Sequence, residues 1–219
     1  MSHPLIDQCT GPMPCFKDFL RQAILEGRKT QTRRVIKDAP EECSIAVGWY
    51  HPTVIDRHGE EQPGTRTFGA YTADGEWGCP CPYGQPGDLR YLREPLVKCE
   101  TASGGAVALY ADDDQSVRDA ARLEVDWRWQ RDRLPQIHMP RIYVRTVCRI
   151  TGIRVERVQD ITEADAIAEG ASDADEYAGI TYANYRTGFR YLWDSINAKR
   201  GYAWADNPMV WVEEFEVVK

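Results

Sequence analysis

The chain is 219 residues long, 42% hydrophobic and 28% charged, with a net charge of −7; at that size roughly 70% of the unfolded surface can be buried without disulfide or metal staples. The acidic balance excludes a protein that coats nucleic acid non-specifically, because neutralising phosphates needs a basic surface. No apolar run approaches the ~20 residues that cross a bilayer, and residues 1–10 lack the basic patch and apolar stretch of a secretory signal, so a single cytoplasmic domain is expected.

The first predicted element is a helix over 16–26. Phe16, Phe19, Leu20, Ala23 and Ile24 recur at helical spacing, and Gly27 follows as a C-cap. Thr30, Thr32 and Val35-Ile36 then suggest a turn entering a strand. Residues 37–81 are rich in Gly, Pro and acidic side chains without a sustained period, which reads as an insertion of loops and short strands. A turn at 83–88 leads into a predicted strand over 89–96, and 106–110 is another. Asp112-Asp113-Asp114 reads as a helix N-cap or a solvated loop. The basic, aromatic run 127–133 suits either stacking on a base or packing of its tryptophans on the core.

Residues 141–158 alternate as a strand should, with Ile142, Val144, Thr146, Cys148 and Ile150 on one face. The phase slips near Gly152, which predicts a bulge or bend there. Thr162 with Asp165 forms a capping box for a short helix that stops at Gly170. A longer helix is expected over 185–199, ended by Gly201, and a strand over Met209–Val218 closes the chain. The fold class is therefore α+β: a small β-barrel decorated with helices, carrying two long insertions at 38–80 and 98–134.

Seven cysteines stand at 9, 15, 43, 79, 81, 99 and 148, an odd number without framework spacing. They read as free thiols in a reducing compartment. Cys79-Pro80-Cys81 offers two donors where a structural zinc wants four, so neither metal nor cofactor is expected. Arginine far outnumbers lysine. That leaves room for a local basic pocket on an acidic body, although base-composition bias in the gene explains the excess as well.

The stretch richest in chemistry is Gly27-x-Lys29-x-x-Thr32-x-Arg34. A glycine turns the backbone sharply after a helix and brings a lysine, a hydroxyl and two arginines onto a short segment. A threonine hydroxyl needs a base to become a nucleophile, and a lysine can serve if burial or a nearby cation such as Arg33 or Arg34 depresses its pKa. On physics alone a basic turn at a helix end also reads as a solvated cap.

Gly-x-Lys-x-x-Thr-x-Arg after an amphipathic helix resembles the signature of the ASCH family, a branch of the PUA-like β-barrels. Three further segments are similar to it in the same order: Gly87-Asp88-Leu89 with the strand to Glu94, the run 159–170, and the helix and strand of 193–215. Ile137-His138-Met139-Pro140-Arg141 looks like phage-type members. The resemblance covers roughly 12–37, 81–97 and 135–219 and leaves both insertions uncovered. Some ASCH proteins remove the acyl group from N4-acetylcytidine without metal, using a lysine and a threonine of the signature and a glutamate of the later helix. Carried over, these are Lys29, Thr32 and Glu169. The resemblance then implies that Thr32 attacks the acyl carbon, Lys29 takes its proton, and Glu169 activates water or protonates the leaving amine. Arg33, Arg34, Glu94, His138 and Arg141 are the candidate substrate-binding residues, with Glu94 reading a base edge or pairing with Arg33 or Arg93. The expected partner is a nucleoside or nucleobase derivative. PUA-like barrels also bind RNA, so a non-catalytic RNA- or nucleotide-binding module is the alternative, and a ribonuclease a further one.

Overall fold

A computed structural model describes residues 3–40, 44–119, 122–175 and 180–218. Cys43 lies outside them. The chain divides into two compact units. The first comprises Met1–Arg28, Gly87–Ile150 and Phe215–Lys219; the second comprises Lys29–Pro86 and Thr151–Glu214.

In the first unit, helix α1 (Asp18–Leu25) buries Leu20, Arg21, Ala23 and Ile24. It ends in a Schellman turn. Arg28 N–H donates to Ala23 O at 2.8 Å and Gly27 N–H to Ile24 O at 3.0 Å, and Gly27 takes the left-handed φ of 76° that the motif requires. Gly11–Pro12 runs parallel to Leu89–Tyr91, which pairs antiparallel with the start of Val147–Arg157. Leu96–Glu100, Ala106–Tyr110 and Arg133–Leu134 form a separate three-stranded sheet. Leu96, Ala108, Tyr110, Val117, Val144 and Val147 fill the core of this unit. Trp127 and Trp129 pack against that core, the second of the two roles expected for the basic, aromatic run.

The second unit places Gln31–Val35 antiparallel to the first part of Met209–Val218. Helix α2 (Glu163–Ala168) starts at the capping box read from sequence: Thr162 accepts from Asp165 N–H while the Asp165 carboxylate accepts from Thr162 N–H. Helix α3 (Tyr185–Asn197) runs through a short 3-10 turn to Gly201, at φ 83°. Val158, Ile161, Phe189, Trp193, Val210 and Val212 form one core cluster, and Ile36, Ala70 and Trp211 another. The stretch 38–80 holds the hairpin of Thr53–Ile55 with Glu61–Pro63 and a three-stranded sheet of Ile45–Tyr50, Thr67–Thr72 and Gly78–Pro80. Gly188 of α3 approaches the chain so closely that a Cβ there would sit 1.8 Å from Ser172 O. Gly188→Ala is therefore expected to lower stability by about 1–3 kcal/mol or more, read as a drop in the urea midpoint.

The fold is α+β, and its largest sheet has the strand order Gly11–Pro12, Leu89–Tyr91, Val147–Arg157, Met209–Val218, Gln31–Val35. Four local expectations are corrected. The strand predicted over 89–96 is two strands, Leu89–Tyr91 and Leu96–Glu100, because Pro95 lacks the N–H a ladder needs. The alternation from 141 is not all strand: Arg141–Tyr143 is a 3-10 turn behind Pro140, with Ile142 exposed. Gly152 marks no break in Val147–Arg157; a Cβ there would meet the Glu214 carboxylate at 2.6 Å, so the glycine makes room for that side chain. Asp112, expected at a cap or in solvent, is 3% exposed and paired with Arg21 at 2.8 Å.

Candidate functional site

The site lies within the second unit, where the segment that opens at Lys29 meets the end of α2. The chain enters that unit at Lys29, directly after the Schellman turn of α1. A second Schellman turn ends α2, with Ala171 N–H donating to Ala166 O and Gly170, at φ 76°, donating to Ile167 O. This makes Glu169 the C-cap of α2. Thr30 N–H donates to Ala168 O at 2.8 Å and ties the two segments together.

Lys29 is 1% exposed and Glu169 5%. The Lys29 ammonium donates to the Glu169 carboxylate at 2.7 Å, to the Glu169 backbone carbonyl at 2.7 Å and to Gln31 O at 2.5 Å. The cation thus caps the negative end of α2 and satisfies a carbonyl that the helix leaves open. Burial, the largest influence, pushes the Lys29 pKa below its ordinary 10.5; Glu169 opposes that shift, and the cations Arg34 and Arg33 reinforce it.

Arg33 completes the cluster. Its Nη1 donates to the other Glu169 oxygen at 3.2 Å and to Gln31 Oε1 at 3.2 Å. Its Nε and Nη2 both donate to one oxygen of Glu156, at 2.9 and 2.6 Å. Asp165 stands 3.5 Å from Arg33, and Phe189 lies under the guanidinium at 5.9 Å. Arg154 then bridges Glu156 (3.0 Å), Asp165 (3.2 Å) and Glu214. Burial acts to raise the Asp165 pKa, but donors from Thr162 and Gln31 and the charge of Arg33 outweigh it, so the net shift is downward. Each Glu169 oxygen is thereby held by a different cation in a region shielded from water, where charge interactions are strong. Chemically, a buried lysine with a depressed pKa against a carboxylate is a pair able to move a proton.

The strand Gln31–Val35 sorts its side chains by alternation. Val35 and Arg33 stand opposite Val210 and Val212, on the face packed by Phe189 and Trp193. Thr32 and Arg34 stand opposite Glu213 and Trp211, on the other face. Thr32 is 3% exposed. No hydrogen bond joins its hydroxyl to Lys29 or Glu169 among the described contacts. Of the three residues carried over from the resemblance, the structure joins Lys29 and Glu169 and sets Thr32 on the face opposite Arg33.

The remaining candidates lie elsewhere. Glu94 is fully buried in the first unit and pairs with Arg145, not with Arg33 or Arg93, at distances down to 2.5 Å. Burial raises its pKa, against the lowering effect of Arg145. His138 is exposed at the end of a 3-10 turn. Arg141 donates to the carbonyls of Ile6 and Cys9, a tether of the N-terminal segment. Four site residues escaped the sequence reading: Gln31, Arg154, Glu156 and Glu214. The available signal was charge inside apolar strands: Arg154 and Glu156 two apart, and Glu213-Glu214 between Val212 and Phe215. No group of three or more His, Cys, Asp or Glu able to hold a metal occurs among the described residues. Cys79 Sγ donates to Pro80 O, and burial raises its pKa. No described helix is long and apolar enough to cross a membrane.

No protein-family model and no curated protein sequence matches the chain. Among solved structures, an ASCH domain from Lactobacillus crispatus JV V101 matches with a TM-score of 0.38 and 11% identity, over 94% of this chain and 77% of that one.

Proposed function

We propose that the chain is an ASCH-type, PUA-like amidohydrolase that removes the acyl group from an N4-acylated cytosine nucleoside or a related nucleobase derivative. The observation that carries this reading is the buried Lys29–Glu169 pair, with the lysine pKa depressed and each carboxylate oxygen gripped by its own cation. In the reaction, Lys29 first passes a proton to Glu169 and, as a neutral amine, takes the proton of the Thr32 hydroxyl as that oxygen adds to the acyl carbon. Protonation of the departing exocyclic amine breaks the C–N bond, and water hydrolyses the acyl-threonine. Arg34, on the Thr32 face, stabilises the oxyanion. Thr32 and Lys29 must come into contact when substrate binds, since catalytic hydrogen bonds are often long in unliganded enzymes.

The test is release of acetate from N4-acetylcytidine, in a panel with other N4-acyl cytosines, cytidines and oligonucleotides. Lys29→Ala, Thr32→Ala and Glu169→Gln are each expected to abolish turnover. Full activity in Thr32→Ala would remove the nucleophile assignment and leave water as the attacking group. One observation favours a second reading: all three ammonium protons of Lys29 already have acceptors, as in a structural pin. On that reading the chain binds RNA or a modified nucleotide without turning it over. Binding by the variants, with no turnover by the wild type, identifies it.

A further inference from the structure

The stretch 98–134, which the resemblance leaves uncovered, builds most of a cavity. It lies within the first unit, has a volume of about 340 Å³, and is lined by Tyr110, Gln115, Ser116, Arg118 and Arg145. Small-ligand sites occupy about 300–1,000 Å³, so it suits a ligand of one ring system.

Two arginines at a cavity suggest an anion at first, yet the hydrogen bonds argue against one. Arg145 spends its edge on the protein: Nε and Nη2 on the fully buried Glu94, Nη1 on Asp113 at 2.8 Å and Gln115 Oε1 at 3.2 Å. An arginine binds phosphate or carboxylate through that fork, and here the fork is filled and its charge answered by two carboxylates. Arg118 donates to the Arg122 carbonyl and has Glu124 4.0 Å away, and Glu124 also accepts from Ser116. A further negative charge would meet Glu124 and Asp113.

What Arg145 keeps is the face of its guanidinium turned away from Tyr110. The guanidinium stacks on the Tyr110 ring, 3.8 Å from Cζ to the centroid. Tyr110 is fixed in turn, its hydroxyl donating to Tyr143 O at 2.6 Å. The stack is therefore rigid before any ligand arrives, and a rigid planar wall favours a planar guest. At the rim, Gln115 gives its oxygen to Arg145 and retains its amide N–H donors, while the Ser116 hydroxyl, its proton given to Glu124, offers a lone pair to the same cavity. We propose that this cavity binds an uncharged planar heteroaromatic ring of the nucleobase class, stacked on the Tyr110–Arg145 wall and hydrogen-bonded at its edge by Gln115 and Ser116.

The test titrates adenosine, guanosine, cytidine and uridine, and their 5′-monophosphates, into the full chain, with heat of binding as the readout. At least one nucleoside should bind at about millimolar affinity or tighter, and equally at about 0.05 M and 0.5 M salt, because a neutral ring feels no screening. Ser116→Trp, which plugs the cavity, should weaken binding about tenfold or more, and Gln115→Ala, at an exposed site, should weaken it measurably while the circular-dichroism spectrum stays that of the wild type. Three outcomes overturn the proposal: no nucleoside bound, binding untouched by both variants, or tighter binding of the monophosphates that weakens with salt. The readout is binding alone, so it stands or falls apart from the hydrolysis proposed for Lys29 and Glu169.

Discussion

Lys29→Met is expected to lower folding stability by about 3–5 kcal/mol, the range for removing one member of a buried ion pair. The substitution keeps the length of the chain and removes the ammonium, which leaves the Glu169 carbonyl and one carboxylate oxygen without their donor. Against a total of about 5–15 kcal/mol, such a loss is visible in any denaturant titration. The pH dependence has a definite sign. Burial holds the folded Lys29 pKa below 10.5. Between that lowered value and 10.5 the unfolded chain binds more protons than the folded one, so the contribution of Lys29 to stability rises with pH across the window. The gap between wild type and Lys29→Met should widen over the same interval, measured as urea midpoints at successive pH values. A gap that closes as pH rises means the pair holds the lysine charged more firmly than water does. Lys29→Met combined with Glu169→Leu should recover much of the loss, since removing both charges leaves no stranded ion.

That pair shows how much of the site was legible in the sequence. The Schellman glycines at 27 and 170, the Thr162–Asp165 box, α3 and the closing strand follow local rules that need only a few neighbouring residues, and these were readable. The contact between residues 29 and 169 spans most of the chain, and only the resemblance suggested it; spacing alone also allowed a solvated cap. Arg33 was readable as a cation but its partners were not, because Glu156 comes from a strand more than a hundred residues away. Glu94 failed for the same reason: its partner, Arg145, is set by how two segments of the first unit fold together. Pro95 and Pro140 were visible, and each stands immediately before an element, at a boundary that the apolar alternation runs across. There the period outweighed the missing N–H in the reading, and the missing N–H won in the fold.

Arg33→Met is the companion case, and its deficit too should grow with pH, but over a lower, acidic window. The wild-type cluster sets Glu156, Asp165, Glu169 and Glu214 against Lys29, Arg33 and Arg154. Removing Arg33, whose side chain is 0% exposed, takes away the cation that touches three of those carboxylates. The expected loss at neutral pH is again about 3–5 kcal/mol. In the variant Asp165, whose carboxyl the Arg33 charge helps to hold down, takes up a proton more readily, and that protonation relieves excess negative charge. The deficit relative to wild type should therefore shrink as pH falls toward the carboxylate range near about 4. Arg33→Lys restores charge without the planar fork that reaches Glu156 through two nitrogens and Glu169 through a third, so it should recover only part of the loss. Combining Arg33→Met with Glu169→Gln isolates the link between them. If the cluster acts as a unit, the double variant loses less than the sum of the singles, by about 0.5–3 kcal/mol. Strict additivity would mean that Arg33 grips Glu156 alone and does nothing to hold the carboxylate that faces Lys29.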